Sequence, residues 1–250
     1  MKREFHTLSY EKLLENIFIR FDELFKHQNI SKTESYVLYE LLTEFVFRIH
    51  NINSAEHQVV FHHADPKDLD MYDCSAFMVK GLTSPDVYDI YVDAREMSFD
   101  GDYRMIDRYL NSVQTILHEL HHVIQYIIVP RVFVREHNKL NQDYDTIMKN
   151  LEGNPKKKEK FLQVHEDASC YLLTSEVKAE EYSLRYLTKL IEELEKFSTE
   201  PYFLYGLRKM RQAVTRLKSL RLNDCKKAHQ QHAHLERFMR KHFKEDLKFD

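Results

Sequence analysis

The sequence predicts a mainly helical α+β fold: a small three-stranded sheet, a buried helix carrying H-E-x-x-H, and a long helix after it. Three observations lead there. Four glycines and five prolines are few for this length, and the stretches between them carry helical spacing of apolar residues. Between Pro66 and Gly101 and just before, the period shortens to that of strands. The stretch "TILHELHHVIQY", Thr115 to Tyr126, then sets three histidines and a glutamate in an apolar frame.

In chain order, residues from about Ser9 to Gln28 and from Ser31 to His50 read as amphipathic helices. Ser31 or Thr33 is placed to cap the second, with Glu34 in its first turn. "HQVVFHH" (His57–His63), "AFMVKG" (Ala76–Gly81) and "VYDIYVDA" (Val87–Ala94) are short, β-branched and aromatic, and read as strands. The third alternates, with Val87, Asp89, Tyr91 and Asp93 on one face and Tyr88, Ile90 and Val92 on the other. A helix follows over about Tyr103–Ile128, stopping before Pro130. Another covers about Arg131–Lys149. An unbroken helical pattern runs from about Lys156 to Lys196, and two basic helices come last. Gly206 is the one glycine that falls inside a helical stretch.

A chain of 250 residues can bury a real core. The patterns divide it into a helical segment over 1–52, a core over 53–197 and a basic helical segment over 198–250, with one compact domain as the alternative. No run of about 18 apolar residues is present, so no membrane partner is expected. The first residues lack the apolar region and cleavage site of a secretory signal. Cys74, Cys170 and Cys225 are odd in number and far apart, which fits a reducing, cytoplasmic compartment. Residues 207–244 carry a net charge of +10, leaving −13 for the rest. Such asymmetry fits an anionic partner or attraction within the fold.

On a helix, His118 and His122 lie about 40° apart and one turn apart, so two imidazoles reach one ion. Glu119 lies about 80° from their midpoint, within reach of a water on that ion. Pairing His118 with His121 instead turns Glu119 about 130° away. The arrangement that gives every group a task is His118 and His122 as zinc ligands, Glu119 as general base and His121 as a flanking residue. Ile116, Leu117, Leu120, Val123 and Ile124 imply burial, and buried histidines and glutamate must be satisfied.

A catalytic zinc site takes three protein ligands and leaves a position open. Gln125 and Ile128 exclude a third histidine six residues on. The later helix offers "TSEVKAEEYSLRY", where Glu176 and Glu180 share a face. Glu176 is assigned as the ligand and Glu180 as the acceptor for the free N–H of a ligand histidine. Glu180 and Glu181 remain alternatives for the ligand, with His165 and Asp167 behind them.

The two motifs together resemble those of the glutamate-type zinc metallopeptidases, the gluzincins. His118, Glu119 and His122 match the first motif, and Glu176, Ala179 and Glu180 the second, with Glu180 standing where aspartate is usual. The resemblance covers about residues 87–187 and implies a zincin-like core, one zinc ion per chain and hydrolysis of a peptide or protein substrate. Tyr182, Tyr186 or His165 is then expected to steady the oxyanion. The strand Val87–Ala94 is expected to border the cleft and pair with the substrate, its Asp89 and Asp93 favouring basic positions. The alternative is a regulatory or binding protein of the same fold, whose basic C-terminal helices contact nucleic acid or a protein partner.

Overall fold

The computed structural model describes residues 5–27, 32–64, 76–81, 87–93, 105–132, 134–135, 148–149, 151–156, 158–159, 162 and 174–219. Among these the chain is mainly helical with one small mixed sheet, as the composition and periodicity predict. The cysteines, His165, Asp167, Ser31 and the second basic helix lie outside the described residues.

Helix α1 spans Tyr10–His27 and α2 spans Lys32–Ile49. Ser9 caps α1: its hydroxyl oxygen accepts from the Lys12 amide at 3.1 Å. Asn51 ends α2 at φ 54°, where Ile52 N–H donates to Phe47 and Asn51 N–H to Arg48. That left-handed residue with its paired bonds satisfies carbonyls the helix leaves open.

Strands β1 (Gln58–Ala64), β2 (Ala76–Lys80) and β3 (Val87–Asp93) form the sheet in the order β1-β3-β2. β3 runs parallel to β1 and antiparallel to β2. Its Tyr88, Ile90 and Val92 are buried, and so are Val87 and Asp89 of the other face, so both faces of the central strand are covered. The sheet packs against α2 through Phe61 on Tyr39 and His63 on Tyr36, with ring centroids 5.1 and 4.8 Å apart.

Two expectations for β3 fail. It is the central strand, hydrogen-bonded on both sides, so it has no free edge for a substrate. Asp89 is 0% exposed and accepts from the His62 ring at 2.8 Å, so it presents no charge to a bound peptide. Strand propensity carried no information on which strand lies in the middle. The Asp93 side chain lies outside the description.

Helix α3 spans Met105–Ile128 and α4 spans Thr174–Leu194. Helix α5 covers 201–219, with Glu200 and Pro201 at its start. Proline suits the first turn, where its missing N–H costs nothing. Phe203 of α5 packs on Phe18 and Phe25 of α1, centroids 4.8 and 5.3 Å apart, and Gly206 faces the Phe25 ring.

By contact the chain divides into two compact units: Met1–Ile124 with Glu181–Leu217, and Gln125–Glu180 with Lys218–Asp250. The first holds α1, α2, the sheet and α5 as far as Leu217. The second holds the last turn of α3 and the first turns of α4. No helix among the described residues is long and apolar enough to cross a membrane.

Candidate metal centre

Helix α3 is apolar around most of its circumference: Val113, Ile116, Leu117, Leu120, Val123 and Ile124 are all buried. Its polar residues are buried too, including Gln114, Glu119, His121, His122 and Gln125. Each must find a partner, because an unmatched polar group in such a place costs several kcal/mol, roughly 2–7.

Much of that matching comes from α4. Within the first unit the Gln114 amide donates to the Ser183 hydroxyl at 3.1 Å. Within the second, the Gln125 amide donates to the Ser175 carbonyl at 2.9 Å. These bonds set which residue of one helix stands beside which of the other.

His118, His122 and Glu176 each offer one donor atom, and the three atoms lie within 4.8 Å of one another. The two imidazoles point the same way: their Nε2 atoms are 3.0 Å apart, with ring centroids 4.7 Å apart. Two nitrogens bound to one zinc at 2.0–2.1 Å in tetrahedral geometry would be about 3.3 Å apart. Two neutral nitrogens and a carboxylate oxygen form a donor set that zinc takes in catalytic sites. The group could therefore hold a metal ion.

Glu119 is 6% exposed and is not one of the three donors. Glu180 is half-buried and outside the group. Glu181 is exposed and accepts an ion pair from Arg185, one turn further on. Of Glu176, Glu180 and Glu181, Glu176 is the one in the group.

His121 has surroundings the sequence did not reveal. It is buried, and its Nδ1 lies 2.7 Å from the Tyr186 hydroxyl. The same hydroxyl meets His50 Nε2 at 2.5 Å. The His121 ring stacks on Tyr182 at 4.3 Å and 9°, and the Arg185 guanidinium covers Tyr182 at 5.1 Å. Burial pushes the Tyr186 hydroxyl pKa well up, helped by Tyr182, and pushes the His50 imidazole down. Both shifts favour the neutral form. A solvent-facing or backbone-bonded His121, as the helical wheel suggests, is thus replaced by a histidine paired with a side chain. Nothing in the local sequence signals His50, 71 residues earlier.

Tyr186, at 2% exposure and shared by two imidazoles, is not placed to greet a substrate. Of the groups expected to steady an oxyanion, half-buried Tyr182 keeps that possibility.

No protein family, curated protein or solved structure compared with this chain matches it.

Proposed function

We propose that the chain is a zinc-dependent peptidase with a zincin-like core of the gluzincin type. The observation that carries the reading is the meeting of the His118, His122 and Glu176 donor atoms beside buried Glu119. When bound, zinc supplies Lewis-acid activation of a water and of the substrate carbonyl. His118 and His122 hold it from successive turns of α3, and Glu176 from α4. Glu119 takes the proton of the attacking water and returns it to the leaving amine.

Metal content and peptide hydrolysis test this together. Wild type should hold about one zinc per chain, lost in His118→Ala and His122→Ala but kept in His121→Asn, whose amide can still reach Tyr186. Glu119→Gln should keep zinc and its melting midpoint, while hydrolysis of a quenched-fluorescent peptide library falls about 10²–10⁴-fold. Full zinc in His122→Ala, or undiminished hydrolysis in Glu119→Gln, would overturn the assignment.

A second reading, contact with nucleic acid, draws on α5. Arg208, Arg211, Arg216 and Lys218 lie on its exposed side, although Arg211 is held by Glu195 at 2.5 Å. Binding of duplex DNA that weakens steeply with salt would favour it.

A further inference from the structure

Exposed apolar side chains gather at the end of α3 and just after it. Ten large apolar side chains are exposed among the described residues, and four of them, Ile128, Val129, Val132 and Val134, fall within seven positions. Their exposures run from 38% to 56%. Single exposed aliphatics are ordinary on a protein surface, but a run of them marks a place that another apolar phase covers. Arg131 and Arg135 are exposed beside them, and neither guanidinium makes an ion pair or hydrogen bond among the described residues. The sequence from Gln125 to Arg135 holds no aspartate or glutamate.

The backbone of this stretch is bonded within itself. Val129 N–H donates to the Gln125 carbonyl at 2.8 Å, and Val132 N–H to the Val129 carbonyl at 3.1 Å. Pro130 has no N–H to satisfy. Residues 130–132 and 134–135 are helical. A chain bonded in this way enters an apolar layer without stranding its donors there.

Side-chain chemistry decides what the cover is. Protein interfaces draw most of their binding strength from tryptophan, tyrosine and arginine, and valine is under-represented there. Aliphatic side chains beside unpaired cations match a phospholipid surface, where acyl chains meet anionic headgroups. The long stem of an arginine lets its guanidinium reach a phosphate while a neighbouring valine lies deeper. Arg131 and Arg135, four positions apart, rise from one side of the helix. A bilayer-spanning helix is not needed for this, because lying on a bilayer takes only a shallow apolar patch with positive charge.

We propose that residues 128–135 seat the protein on an anionic phospholipid surface, with Ile128, Val129, Val132 and Val134 in the headgroup layer and Arg131 and Arg135 on lipid phosphates. The inference needs nothing from the metal centre, and its test reads binding alone.

The test is sedimentation of the full chain with vesicles of phosphatidylcholine and phosphatidylserine in equal parts, beside vesicles of phosphatidylcholine alone. Binding should be at least tenfold tighter on the mixed vesicles and should weaken with added salt. Arg131→Glu with Arg135→Glu should weaken it at least tenfold, and so should Ile128→Ser with Val132→Ser. Both variants should keep the wild-type melting midpoint, because the altered side chains are exposed. The chain contains no tryptophan, so Val132→Trp introduces a single reporter. Its emission should move to the blue on mixed vesicles and be quenched by brominated acyl chains. Full binding in the arginine variant would assign the contact to the basic residues 207–244 and overturn the proposal. Equal affinity for the two vesicles, no binding to either, full binding in Ile128→Ser with Val132→Ser, or a reporter that stays in water would also overturn it. So would a dimer in solution that Ile128→Ser with Val132→Ser dissolves, since the patch would then cover a second copy of this chain.

Discussion

Between α1 and α5 the contact is a row of rings: Phe18, Phe25 and Phe203, with Gly206 admitting the Phe25 ring. Between α3 and α4 it is a row of hydrogen bonds: Gln114 to Ser183, His121 to Tyr186, Gln125 to Ser175. Apolar packing tolerates small slips of one helix along another at modest cost, because its attraction has no direction. Hydrogen bonds lose strength steeply with angle and distance, so they fix a register. A metal centre whose donors come from two helices needs the second kind of contact. The first kind needs only volume.

The contrast is open to direct attack. Phe203→Ala should be the most destabilising change, by about 3–5 kcal/mol in chemical denaturation, with zinc stoichiometry unaltered in the folded fraction. If it released zinc from folded chain, the division of labour between the two helix pairs would fail. Tyr186→Phe removes one oxygen from the polar contact and leaves two imidazoles without it. The expected loss is about 1–3 kcal/mol, with a shifted His121 side-chain nitrogen resonance and a weaker hold on zinc. An unchanged zinc affinity would reduce Tyr186 to a packing role.

Gly206→Ala sharpens the apolar side. An added Cβ would stand 2.6 Å from the Phe25 ring, so the ring or its helix must shift. Overpacking of this kind costs about 1–3 kcal/mol, partly offset by about 1 kcal/mol from alanine's helix preference. A variant as stable as wild type would show that α5 can slide. The smallest effect is on pH dependence. Burial lowers the His50 pKa, so the unfolded chain holds that proton more tightly than the folded one. Stability from this group is therefore complete above its ordinary value of about 6.5 and is lost as pH falls below it. Wild type should melt lower at pH 5.5 than at pH 7.5, and His50→Gln should narrow the gap. An equal gap would remove His50 from the account.

The parts legible in the sequence share a cause. The helical setting of the α3 motif and the strand segments depend on spacing within one element, which helix and strand periods dictate. Glu181 carried a local warning in Arg185 four residues on, a spacing that makes a solvent-facing ion pair. What stayed hidden depends on partners far along the chain. Asp89 looks like a solvated strand carboxylate until His62 arrives from β1. His121 looks like a flank until Tyr186 arrives from α4 and His50 from the turn that follows α2. The middle place of β3 is hidden for the same reason, since pairing order belongs to the assembled sheet.

That pairing order also has a consequence in time. The chain is synthesised from its N-terminus, and both edge strands precede the strand that each of them needs. β1 and β2 leave the ribosome with no partner, and only when Val87–Asp93 follows can either ladder close. β2 and β3 can then meet as a hairpin, within about 1–10 μs. β1 must be drawn in across residues 65–86 to lie parallel, a slower closure. While it waits, "QVVFHHA" is an apolar strand with two open edges, and any other nascent copy of itself is a ready neighbour. The yield of folded protein should therefore depend on how far apart growing chains are kept until their ninety-third residue is out.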